Sequence, residues 1–257
     1  MPHQLTVDHN SESLLDPKIH AGWVFSHCQK CTLCCDGSAF TVASLSLGEI
    51  EVASRRFPIV FQKVGDAVYL GLVYALQQGI PCPYLDSLES RCLIYTEERP
   101  LSCRRFPFRV LSSSLHNKRS CKKKKNSYWV VMDRRCLAVS SHGVGVPLVA
   151  EEGVSRELAE KFFLNEQHDF KCENNNFCAM LDYFGLLKKR QLLVKRDGRV
   201  VYQYTYWAVS KTKLTHLSHA SLEMLRKRGY FPLIKSHVVS LGHFKLLKKM
   251  YLNAVRN

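Results

Sequence analysis

The sequence predicts an α+β protein in two parts: a small irregular cysteine-rich domain stapled by metal, then a mostly helical domain carrying a β-hairpin. Three observations lead there. All eleven cysteines of the 257 residues fall before residue 179. The segments between them are short and joined by loops, so that part lacks regular layers and would gain from a metal staple. From Val154 onward the pattern changes to longer helical runs and one turn dipeptide, Asp197-Gly198. The expected boundaries are an N-terminal extension over 1–24, a cysteine-cluster metal-binding domain over 25–150, and a helical domain with a hairpin over 151–257.

The N-terminal stretch "MPHQLTVDHNSESLLDPKIH" lacks a basic start followed by an apolar run, so it does not read as a secretory signal. No apolar stretch approaches the roughly 20 residues that cross a bilayer. The expected location is the cytoplasm, with no membrane span. Ser46 and Glu49 stand three apart as a capping box and predict a helix from about 47 to 56. "AVYLGLVYAL" reads as a strand, and "RCLIY" as a short one. Pro100 suits a first helical position, which places Cys103 in a short helix or turn. "SYWVVMD" is a further strand. "SRELAEKFFLNEQ" and "NNFCAMLDYFGLLKKR" read as helices. In "QLLVKRDGRVVYQYTYW", two β-prone runs flank Asp197-Gly198, which suits a tight hairpin turn. The remainder reads as two or three helices broken at Gly229 and Gly242.

The chemistry lies in the cysteines. "CQKCTLCC" holds Cys28, Cys31, Cys34 and Cys35, and its two-residue spacing turns successive thiolates toward one centre. Cys34 and Cys35 are adjacent, and adjacent side chains tend to diverge, so the two are expected to serve different sites unless one is a bystander. Cys82 sits between Pro81 and Pro83, which stiffen its loop. Cys92 and Cys103 follow in "RCLIYTEERPLSCRRFPF". In a reducing compartment structural disulfides are disfavoured, and an odd number of thiols cannot pair completely. A thioredoxin-type dithiol needs one C-x-x-C and a βαβ context, and that context is missing. Metal binding is the reading that remains.

These strings, "CQKCTLCC", "PCPYLD" and "RCLIYTEERPLSCRRFPF", resemble the YkgJ-type cysteine-cluster family, a zinc- or iron-chelating CxxCxxCC domain, over residues of about 25–150. The resemblance extends into "WVVMDRRCLAVSSHGVGVPL", although the family's cysteine there is followed by proline and glycine, and Cys136 is followed by Leu137 and Ala138. It implies Cys28, Cys31, Cys34, Cys35, Cys82, Cys92, Cys103 and Cys136 as metal ligands. A sulfur-only shell suits zinc and iron–sulfur clusters alike. Arg99, Arg104, Arg105 and Arg109 crowd the same segment, and cations near a cluster stabilise its reduced form. A [4Fe–4S] cluster is therefore favoured, with Zn as the alternative. The corresponding functions are electron transfer or support of a modification made with a protein partner, against a zinc-stapled binding module with a basic face.

Apolar residues at 46% and charged residues at 23% exclude global disorder. The formal net charge of +15 favours anionic partners, an acidic protein before nucleic acid. "SCKKKKNSYW" sets Cys121 beside four lysines, an arrangement that lowers a thiol pKa, and offers phosphate contacts. Cys172 and Cys178 read as unliganded, and His27, His216, His219, His237 and His243 as lying outside any metal site. The C-terminal "YWAVSKTKLTHLSHASLEMLRKRGYFPLIKSHVVSLGHFKLL" resembles the end of SapC-like proteins through its S-H…SLG finish.

Overall fold

The computed structural model describes residues 12–26, 32–39, 41–97, 99–112, 128–151, 153–162 and 169–255. The class is α+β. Its centre is a five-stranded antiparallel sheet in the order Leu187–Arg196, Arg199–Val209, Ile59–Val64, Ala67–Val73, Val42–Ser44. The two longest strands form the expected hairpin. Asp197 (φ 50°) and Gly198 (φ 77°) turn it, both in the left-handed region that a type I′ turn requires. A single register pair, Trp207 with Phe61, joins that hairpin to the strands from the first half of the chain. The sheet therefore crosses the boundary expected at residue 150.

Side chains alternate across a strand, so each strand feeds two cores. On one face Ile59, Phe61, Leu70 and Leu72 pack with Phe177 and Leu181 of the helix Asp169–Tyr183 and Ile234 of the helix Tyr230–Ser240. On the other, Val60, Val73, Val194 and Tyr204 meet Phe244, Leu247 and Tyr251 of the helix Phe244–Ala254. Burying each such side chain contributes about 1.5–3 kcal/mol. A third core lies elsewhere, under short sheets formed by Glu12–Leu14, Tyr128–Asp133 and Phe108–Ser112, and by Val139–Ser140, Val24–Phe25 and Val146–Pro147. There Phe25, Phe108 and Phe162 meet edge to face with centroids 5.0–5.5 Å apart.

Local signals set most of these elements. The strand Ala67–Val73 follows the apolar run. The short helix Leu101–Arg105 starts one residue later than expected, with Pro100 as its N-cap. The helix expected over 47–56 is shorter, a 3₁₀ turn over Leu47–Glu49 and then Ile50–Ala53. Glu49 accepts from the Ser46 N–H at 3.3 Å, the half of the capping box that forms, and also from the Leu101 N–H. That second bond uses the carboxylate to fix the cysteine-bearing helix. The helix expected to run through "GLLKKR" stops at Tyr183, because Gly185 turns left-handed (φ 61°) and Leu187 begins the edge strand.

The C-terminal string S-H…SLG has a structural role. Beyond Trp207 and Phe61 the two central strands separate, leaving the N–H groups of Val209 and Ile59 without ladder partners. His237 Nε2 accepts from Val209 at 3.1 Å, and Ser240 Oγ accepts from Ile59 at 2.9 Å. Both side chains are fully buried, and burial pushes the His237 imidazole down to about 4. Gly229, in the left-handed region, separates the helix His219–Lys227 from Tyr230–Ser240, as expected.

Candidate thiol centre

Three separate segments deliver sulfur to one end of the main core. The first is the turn 32–36, closed by the N–H groups of Cys35 and Asp36 bonding the Thr32 carbonyl at 2.6 and 2.7 Å. Asp36 Oδ1 accepts from the Ser38 N–H at 2.7 Å, which continues the bend. Gly37 (φ +81°) then lets the chain lie against the 79–82 segment: a Cβ there would stand 2.3 Å from the Ile80 carbonyl oxygen. The approach is sealed by the Cys82 N–H bonding the Cys35 carbonyl at 2.5 Å. The second segment carries Cys82 and Cys92, drawn together by a two-residue ladder pairing Leu85 with Cys92, and by Leu85 N–H donating to the Cys82 carbonyl at 3.0 Å. The third is the helix Leu101–Arg105, whose Cys103 Sγ lies 3.3 Å from the Tyr74 hydroxyl.

Cys35 and Cys82 belong to the main apolar core, and Cys34, Cys92 and Cys103 pack against it. The cysteine corner is therefore part of the same body as the C-terminal helices, and no separate metal-stapled domain is shown. Cys34 and Cys35 do not diverge as expected; their sulfurs are 3.7 Å apart. The reason is the backbone: divergence belongs to extended chain, and residues 33–35 form a turn.

Cys34, Cys35 and Cys92 shift one another's titration, and Cys82 and Cys103 lie close by. Cys35 bonds both Cys34 and Cys92, and these bonds, followed by burial, raise its pKa, so it keeps its proton. Cys34 is correspondingly lowered, first by its bond with Cys35, with Arg99 helping. Cys92 is lowered to about 6, again chiefly by Cys35, with the Ile94 N–H and the Arg99 charge adding to it. Burial pushes Cys82 up to about 12 and raises Cys103 as well. Cys35 thus lies between Cys34 and Cys92, with a guanidinium close by. Arg99 also stacks on Tyr95, 4.0 Å from its ring centroid.

Such a donor set is chemically suited to a soft metal: all sulfur, largely desolvated, and partly deprotonated at neutral pH. The distances are looser than coordination requires. Among the described residues, no group of three or more His, Cys, Asp or Glu side chains stands where one metal ion could be held. Cys28 and Cys31 lie outside the described residues, as does the lysine run with Cys121. Cys136 is buried in the third core, beside Phe25 and Phe108. Its neighbour Arg135 reaches the Ser38 carbonyl at 3.5 Å, so its turn borders the cysteine loop. Cys178 is buried among apolar side chains of the main core, and burial raises it to about 12. Tyr74 lies within an apolar run and carries no sequence pattern that marks it as a neighbour of Cys103.

No helix among the described residues is long and apolar enough to cross a membrane. No curated protein and no solved structure matches the chain. A family model, SapC, matches residues 15–247. That match reaches far beyond the C-terminal string that first suggested it and spans both sides of residue 150, whereas the YkgJ-type resemblance finds no support in the comparison. The same residues that join one continuous sheet also fall within one family match, and the chain belongs to the SapC family.

Proposed function

We propose that the thiols of Cys34, Cys35, Cys82, Cys92 and Cys103 form a metal centre, with Cys28, Cys31 and Cys136 as further candidate ligands from the sequence. The observation that carries this reading is the convergence of five sulfurs, from three segments, at the rim of a single core. Disulfides do not account for it: Cys34, Cys35, Cys82, Cys92 and Cys103 are all free thiols. A metal would displace the protons that Cys35, Cys82 and Cys103 retain, and binding would draw the sulfurs closer.

A [4Fe–4S] centre is favoured over zinc because Arg99 bears on Cys34, Cys92 and Cys103, and a nearby cation stabilises the more negative, reduced state of a cluster. A centre of that kind supplies one-electron transfer. The chain's own contribution is placement. The apolar core desolvates Cys82 and Cys103, while Cys92 stays partly exposed next to exposed Leu93 and Tyr95. That side is where a redox or modification partner would approach.

Anaerobic purification of the full chain tests the proposal. A brown protein with broad absorbance near about 400 nm, iron and acid-labile sulfide supports the cluster. A colourless protein with stoichiometric zinc assigns the same sulfurs to a structural site in a binding module. A protein that binds neither metal, and melts identically after chelation, refutes the proposal.

A further inference from the structure

The two edges of the large sheet differ. Val42–Ser44 closes one with three residues, and Leu187–Arg196 forms the other with ten. Strands average about five or six residues, and proteins keep exposed edges short because unpaired N–H and C=O groups recruit other strands. Among the described residues no strand pairs with the outer side of Leu187–Arg196. Consecutive residues of this strand line two open grooves laid end to end. The first, about 550 Å³, runs along Leu187 to Arg190, with Trp207 and Lys213 on its walls. The second, about 540 Å³, runs along Gln191 to Lys195, with Lys248 and Leu252.

The charge along this edge has one sign. Lys188, Lys189, Arg190 and Lys195 are exposed and make no ion pair among the described residues. By alternation, Lys188 and Arg190 lie to one face of the edge, and Lys189 and Lys195 to the other. A second copy docking edge to edge would set these cations against their own kind, which is destabilising. A strand bearing carboxylates would meet opposite charge on both faces and satisfy the free backbone groups at the same time. Trp207 and Leu252, half-buried in the grooves, offer apolar surface to the side chains between.

We propose that the edge Leu187–Arg196 docks an extended acidic segment of a partner protein, which adds to the sheet as a further strand. Main-chain hydrogen bonds supply much of the affinity in this mode, and the lysines supply selectivity and rate of encounter. The surface is independent of the thiol centre and stands whether that centre holds iron, zinc or neither.

The probe is a fluorescein-labelled ten-residue peptide in which pairs of adjacent Glu alternate with Val-Thr pairs, so that carboxylates reach both faces; it is blocked at both ends and titrated with the full chain by anisotropy. Two analogues carry N-methyl groups on alternate amides, one set for each edge of the strand. Saturable binding is expected, with one analogue weaker by about tenfold or more because its ladder donors are gone. The variant Lys188→Glu/Arg190→Glu should also bind about tenfold more weakly while keeping its far-UV spectrum. If that variant folds poorly, raising KCl on the wild-type chain from about 50 to about 500 mM should weaken the peptide to a similar degree. Amide exchange on the complex should slow within residues 187–195. The proposal is overturned by absent saturation, by two analogues that bind like the parent peptide, or by protection confined to other segments. It is equally overturned if a 20-nucleotide oligo-dT or phosphatidylglycerol vesicles displace the peptide at lower concentration than its unlabelled form does.

Discussion

The centre of the sheet and the thiol corner are two ways of holding a chain. At the centre, Ile59, Val60, Phe61 and Leu72 are fully buried, and long strands carry them to two different cores. Stability there comes from apolar area and a continuous ladder. At the corner the chain is held by turns, a two-residue ladder and close backbone approaches, and its core-facing atoms include titratable sulfurs, with Cys34 lowered and Cys92 lowered to about 6. The first region is indifferent to solution redox chemistry and metal. The second has titratable groups where the first has methyls, and it should respond to both.

The sharpest way to break this contrast is to damage the centre. Phe61→Ala removes a fully buried ring that touches Phe177 and His237, and should cost about 3–5 kcal/mol in urea unfolding, equally with and without chelator. A dependence on chelator would mean that the two regions are not distinct.

Acid comes next. His237 is held at about 4 in the folded chain, against roughly 6.5 when unfolded. Between those values the unfolded chain binds the proton that the folded chain refuses. Its contribution is full above about pH 6.5 and is lost as pH falls toward 4, with a total on the order of 3 kcal/mol. Urea midpoints at pH 7 and 5 should show the drop, and His237→Gln should flatten that window.

Gly37→Ala probes the corner. It puts a Cβ 2.3 Å from the Ile80 carbonyl at a left-handed position, so the cysteine loop must pull away from Cys82. The expected cost is about 1–3 kcal/mol. Amide exchange should rise at residues 35 and 82 with little change in the hairpin. The smallest effect is expected of Cys178→Ser, which sets a hydroxyl in an apolar site. It should lower stability by about 1–2 kcal/mol and leave metal content untouched. Loss of metal in this variant would place Cys178 in the centre.

The same contrast explains what could be read from the sequence. The hairpin around Asp197-Gly198, the strand Ala67–Val73 and the helix break at Gly229 are announced within a few residues of themselves, and each stands where expected. The pairing of Trp207 with Phe61 has no local signature, and it turns the two expected domains into one sheet. At the site, residue type alone marked Cys34, Cys35, Cys82, Cys92 and Cys103. Their spacing along the chain did not reveal that a turn would bring Cys34 and Cys35 side by side, or that Tyr74 would stand beside Cys103. Nor did it say that Cys136 would be buried in another core. The S-H…SLG string was visible as a pattern, but its work, accepting the N–H groups of two separating strands, depends on contacts across the fold.

The central claim is that sulfur from three segments converges on a soft metal. X-ray absorption at the metal edge, on anaerobically purified chain, tests it most directly. The expected result is a shell of sulfur alone at about 2.3 Å, lost in Cys92→Ser. A metal-free protein, or a shell of nitrogen and oxygen that survives that substitution, would contradict it.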